Sequence, residues 1–219
     1  KQVKNILSEL SDSARADQMS AYLKNQFQFL GLPTPVRRAS LKYLNPSLFS
    51  EEELFQIAED LWLLPEREYR YVAIDLLDRN SKVVSLTSIS RLLHLIQREP
   101  WWETVDSVSG VIGDVIARAR KTDIAAQEVM DEAIIDSSFW IRRVALIHQL
   151  GWRMQTDEDR LFRYAISVSS DKEFFIRKAA GWALRDYARW NPDAVRNFVI
   201  NNQSRLSGLT ISEATKHIR

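Results

Sequence analysis

Two stretches decide the fold: Phe139-Trp140-Ile141-Arg142-Arg143-Val144-Ala145 and Phe174-Phe175-Ile176-Arg177-Lys178-Ala179-Ala180. They align at an offset of 35 residues, aromatic on aromatic, isoleucine on isoleucine, basic doublet on basic doublet. Val36-Arg37-Arg38-Ala39 falls into the same register at an offset of 105, three times 35, and Tyr69-Arg70-Tyr71-Val72-Ala73-Ile74 is a looser copy. A self-similar unit of about 35 to 40 residues holding two helices is the mark of an α-solenoid. One helix pair cannot bury its apolar face alone, so pairs stack. The spacing predicts five or six units of an all-α right-handed superhelix. No domain boundary is expected, so residues 1–219 read as a single repeat domain. The plainer alternative is an irregular helical bundle.

Outward from these stretches the period stays helical. Leu54, Ile57, Ala58 and Leu61 follow the i, i+3, i+4, i+7 rule, and so do Leu86–Ile96, Val105–Ile116, Val144–Leu150 and Phe162–Ile166. Prolines 33, 35, 46, 65, 100 and 192 sit between the periodic segments. Asn45-Pro46-Ser47, Pro100 and Asn191-Pro192-Asp193 read as helix starts, where proline's missing amide costs nothing. No convincing strand alternation is present, and six glycines with six prolines are few for an all-β chain.

Composition removes whole classes of chemistry. Thirty basic residues face 29 acidic ones, so the net charge of +1 does not by itself call for nucleic acid. There is no cysteine, hence no disulfide, thiol nucleophile or thiolate metal site. His94, His148 and His217 lack metal-ligand spacing, and no phosphate loop, dinucleotide fingerprint or serine elbow occurs. No apolar run approaches the roughly 20 residues of a membrane span. The chain opens at Lys1 without a methionine, so a trimmed leader is compatible with it.

Candidate functional residues come from the repeated positions. Equivalent doublets Arg37-Arg38, Arg142-Arg143 and Arg177-Lys178 line up along one face of a solenoid. A nearly neutral chain can thereby carry a basic concave stripe suited to a phosphate backbone. The competing reading is that one cation of each doublet pairs with a carboxylate of the neighbouring repeat. Lys178, Trp182, Arg185 and Arg189 share a helical face, one indole among three cations, as suits a nucleic-acid backbone; most tryptophans are nevertheless core. Trp102 and Asp106 lie at i and i+4, and Gly110 and Gly113 continue near that face and would leave room for something to approach. A carboxylate beside an indole is out of place in a core. The plainer alternative for Asp106 is a solvated helix-start residue favoured by the helix dipole.

These residues carry a resemblance. The chain resembles the AlkD-type DNA alkylation repair glycosylases, built of HEAT-like repeats, over nearly its whole length. The matching motifs are Tyr22-Leu23-Lys24-Asn25, Phe29-Leu30-Gly31, Thr34-Pro35 with Arg37-Arg38, Leu61-Trp62, Leu64-Pro65-Glu66-Arg67-Glu68, Trp101-Trp102-Glu103-Thr104-Val105-Asp106-Ser107, Trp140-Ile141-Arg142-Arg143, and Phe174 through Ala188 with Asn191-Pro192-Asp193. Glu103 departs from the aspartate of relatives but keeps the charge. The resemblance implies hydrolysis of the N-glycosidic bond of N3- and N7-alkylated purines in duplex DNA, without base flipping. It implies Asp106 as catalytic carboxylate, Trp102 and Trp182 as cradling indoles, Arg143 beside the lesion's backbone and Tyr22 near the duplex. Arg38, Arg142, Lys178 and Arg185 are the further expected DNA contacts. No cofactor or metal is expected. The expected partner is double-stranded DNA containing alkylated purines, bound by a cytoplasmic monomer. The contrasting possibility is a non-catalytic HEAT-repeat scaffold.

Overall fold

The computed structural model describes residues 1–42 and 49–218. The helix start read at Asn45-Pro46-Ser47 lies outside the described residues. The chain is all-α and solenoid-like, with thirteen α-helices and one isolated bridge, Gln28 to Glu66, among the described residues. None of these helices is long and apolar enough to cross a membrane. The described chain divides into two compact units, Lys1–Ser85 and Leu86–Arg219.

The first unit holds α1 (Gln2–Glu9), α2 (Ser13–Tyr22), α3 (Thr34–Ser40), α4 (Glu51–Trp62) and α5 (Arg67–Arg79). α4 opens with a capping box: Ser50 Oγ accepts the Glu53 amide at 3.3 Å, and Glu53 accepts the Ser50 amide at 2.9 Å. It packs on α5, burying Leu54, Phe55, Ala58, Leu61 and Trp62 on one helix and Tyr69, Val72, Ala73 and Leu77 on the other. Glu68, fully buried, accepts the amides of Leu30, Gly31 and Leu32 at 2.9, 2.9 and 3.0 Å. Gly31 permits that turn: its φ is +86°, and a Cβ there would lie 2.0 Å from the Asp12 carbonyl oxygen.

The second unit holds α6 (Ile89–Ile96), α7 (Trp102–Ala119), α8 (Glu128–Ala133), α9 (Phe139–Ile147), α10 (Glu158–Ser167), α11 (Phe174–Ala188), α12 (Pro192–Asn201) and α13 (Gly208–Ala214). They pair as α6/α7, α8/α9, α10/α11 and α12/α13, while α7, α9, α11 and α13 stack in succession. The 35-residue register recurs residue by residue. Arg142 donates to the carbonyl of Asp136 at 2.7 Å, and Arg177 to that of Asp171 at 2.7 Å. The same two aspartates accept the amides of Ser138 and Glu173, at 2.7 and 2.8 Å, ahead of α9 and α11. Pro192 opens α12 behind its Asn191 cap as the sequence indicates. Pro100 does not open α7: Trp101 is the N-cap and Trp102 the first helical residue.

Candidate nucleic-acid interface

The stacked helices of the second unit bring six of the expected residues to one cleft. The first turns of α7 present Trp102 and Asp106, α9 presents Arg143, and α11 presents Lys178, Trp182 and Arg185. Phe174 and Phe175 complete the lining of a cavity of about 350 Å³. Both indoles are half-buried, so each keeps surface for a partner.

Asp106 is a member of a buried ion pair rather than a solvated helix-start residue. Its Oδ1 accepts Arg143 Nε at 2.6 Å and its Oδ2 accepts Nη2 at 2.7 Å, while Nη1 donates to the Phe175 carbonyl at 2.6 Å. The guanidinium thus spans α7, α9 and α11, with its side chain 4% exposed against 15% for Asp106. Two parallel charge-assisted bonds fix the carboxylate in place. Burial pushes the Asp106 carboxyl above the ordinary aspartate value; the hydrogen bond and charge of Arg143 oppose the rise, and Glu103 adds to it. The result is a carboxylate that is oriented, poorly hydrated and therefore strong in its electrostatic effect on anything in the cleft.

An aromatic wall stands behind it. Trp140 lies 4.9 Å from Phe175 and 4.6 Å from Phe139, and Trp101 lies 5.6 Å from Phe175, ring centroid to ring centroid. Phe174, 56% exposed, is the outermost ring of this group, 5.5 Å from Phe175. The sequence motif assigns no role to Phe174 and Phe175. The signal was there: Phe174, Lys178, Trp182 and Arg185 share one face of α11.

The doublets follow the carboxylate-pairing alternative. Arg37 and Arg38 both donate to Asp75, at 3.0 and 2.6 Å, and Arg142 donates to Asp171 at 2.8 Å. Lys178 and Arg185 both reach Glu213 on α13. Glu213 was not singled out in the sequence; its only signal is a position 35 residues beyond Lys178. Arg142 does not line the cleft. Tyr22, strongly exposed at the end of α2, and Arg38, its side chain 53% exposed, belong to the first unit.

The two glycines after Asp106 divide. A Cβ on Gly110 would meet nothing within 4 Å, so there is open space, as the sequence suggested. Gly113 is buried, and a Cβ there would lie 2.1 Å from the His148 carbonyl oxygen. The expectation that Gly113 leaves room for a ligand is therefore corrected: it admits the backbone of its own neighbour, at the end of α9.

A family profile described as DNA alkylation repair enzyme matches residues 3–218. A solved structure, a predicted DNA alkylation repair enzyme from Enterococcus faecalis, is 34% identical, with 95% of this chain and 96% of that chain covered at a TM-score of 0.88. Another, smu.31 from Streptococcus mutans UA159, shares the fold at 18% identity and a TM-score of 0.63, covering 97% of this chain and 100% of that one. No curated protein matches. The match over nearly every residue, on a cleft whose indoles, carboxylate and cations lie together, shows that the chain belongs to the DNA alkylation repair enzyme family, with a role in the repair of alkylated DNA.

Proposed function

We propose that the protein is a DNA glycosylase that hydrolyses the N-glycosidic bond of cationic N3- and N7-alkylated purines in duplex DNA, within base excision repair. The observation that carries this reading is the meeting of Trp102, Trp182 and a desolvated, Arg143-held Asp106 in one cleft. An alkylated purine of this class already bears a positive charge. When the bond from the base nitrogen to C1′ breaks, the electron pair leaves with the base, which departs neutral and needs no general acid. Positive charge then develops on the deoxyribose. The Asp106 carboxylate stabilises it, an effect worth about 2.7–4 kcal/mol for a preorganised group. Each indole adds about 0.5–2 kcal/mol of cation–π attraction. Water aligned by Asp106 attacks C1′ and releases one proton to solvent, giving free base and an abasic site.

In this reading the base stays in the stack, and the cleft meets the lesion through sugar and backbone. Arg143 orients Asp106 first; one N–H on each of Nη1 and Nη2 is left over from the bonds described, and in this reading these are the donors offered to a backbone phosphate. Lys178 and Arg185 give further phosphate contacts in the cleft, and Arg142 gives one outside its lining. Tyr22 and Arg38 are the residues of the first unit offered to DNA. The protein acts as a monomer, without cofactor, where cytoplasmic DNA is found. The test is incubation with a duplex carrying 7-methylguanine, scored for released base. Release supports the reading. Binding of the duplex without release would assign the cleft to a non-catalytic DNA-binding scaffold.

A further inference from the structure

Glu213 plays no part in the reading above, yet it holds two of the cleft's cations. Its side chain is only 11% exposed. Oε1 accepts Lys178 Nζ at 2.5 Å, and Oε2 accepts Arg185 Nη1. Lys178 and Arg185 flank Trp182 on one face of α11, so the carboxylate bridges the cations on either side of the indole. The bridge is delivered by a tight helix contact. A Cβ on Gly181 would lie 2.5 Å from Glu213 Cβ and 2.9 Å from the Thr210 carbonyl oxygen, and Thr210 Oγ1 donates to the Arg177 carbonyl at 3.1 Å. The hydrogen bond from Lys178, then the charges of both cations, hold the Glu213 carboxyl below the ordinary glutamate range in spite of its partial burial. One anion shared between an ammonium and a guanidinium is also the arrangement that a backbone phosphate makes with a lysine and an arginine.

We propose that Glu213 is a positioning residue that occupies, in the free protein, the place of a DNA phosphate between Lys178 and Arg185. The proposal rests on the reading of the cleft as a duplex-binding site. Glu213 keeps both cations extended along the cleft wall and competes with the duplex for them. Lys178, at 40% side-chain exposure, turns to the phosphate first, and Arg185, at 18%, follows it. The competition restrains affinity for undamaged DNA, where cations act without regard to sequence or lesion.

The test is equilibrium binding of an undamaged duplex over a salt series, for the native protein, Glu213→Gln and Glu213→Asp, each checked by thermal melting. Gln keeps the shape and removes the charge; Asp keeps the charge but falls one methylene short of spanning both cations. Glu213→Gln is expected to bind about 3- to 10-fold more tightly at physiological salt, with a log–log salt slope steeper by about 0.9, the increment for one further phosphate. Glu213→Asp is expected to bind more tightly than native by a smaller factor, and it decides the matter if the Gln variant does not melt cooperatively. A merely structural glutamate would weaken binding when replaced. Weaker or unchanged binding in the cooperatively melting variants, with superimposable slopes, overturns the proposal. Failure of the native protein to bind any duplex overturns the underlying reading with it.

Discussion

At the scale of the residue, Asp106 is pulled two ways. Burial raises its proton affinity and Arg143 lowers it, with burial the larger. The ionised form is the one that can stabilise a cationic sugar. The excision rate is therefore expected to fall as the pH drops through a midpoint above the ordinary aspartate value of 3.8, about tenfold per pH unit below it, in single-turnover measurements. The linkage to stability has the opposite sense. A carboxyl whose pKa is raised by folding favours the folded state at low pH, and that contribution is lost as the pH rises through the folded-state value. Asp106→Asn keeps shape and one acceptor while removing the charge. Excision of 7-methylguanine is expected to fall by about 100-fold or more, with duplex affinity held or slightly raised. The melting temperature should fall as well, because the Arg143 guanidinium stays buried without its counter-charge. Equal single-turnover rates for the two proteins would remove Asp106 from the chemistry.

At the scale of the element, the contact of α7 with the end of α9 is set by one missing methyl group. Gly113→Ala puts a Cβ 2.1 Å from a backbone oxygen, which cannot turn aside as a side chain can. A loss of about 1–3 kcal/mol is expected, read by chemical or thermal unfolding. Excision should drop in parallel, since Arg143 rides on α9. Gly110→Ala meets open space within the same helix and should gain about 0.5–1 kcal/mol. A pair that behaves alike would refute the distinction. Sequence could not separate these glycines, because both lie near one face of α7 and the atom that decides is 35 residues further along the chain. The same limit hid the partners of the doublets. Asp75 is 37 residues from Arg38, Asp171 is 29 from Arg142 and Glu213 is 35 from Lys178, separations that leave no local pattern. What was legible is what periodicity carries: the helices, the 35-residue unit, and the shared faces of Trp102 with Asp106 and of Lys178 with Trp182 and Arg185.

At the scale of the whole molecule, acid should act in two stages. His148 is fully buried, donates from Nδ1 to the Ala145 carbonyl at 2.7 Å and accepts Gln127 Nε2 at 2.9 Å. Burial lowers its pKa from 6.5 to about 4. A depressed folded value means that stability is complete above the unfolded pKa and declines as the pH falls from 6.5 toward about 4. By itself this group removes about 3 kcal/mol across that window. Below it Asp75, Asp131, Asp171 and Glu213, all held under their ordinary values, take up protons and release their arginine and lysine partners. Denaturant midpoints measured against pH should show a first decline near neutrality and a second, steeper one below about pH 4. A flat profile down to that point would mean that His148 is hydrated. The ion pair between Asp106 and Arg143 also bears on descent. Losing either partner alone strands the other at a cost of about 3–5 kcal/mol, a large share of the roughly 5–15 kcal/mol that holds a domain. Selection for folding alone thus guards position 106 in a lineage that no longer meets alkylated DNA. The open route away from the charged pair is a joint exchange of both residues for an apolar couple, so the two positions should change together across generations or not at all.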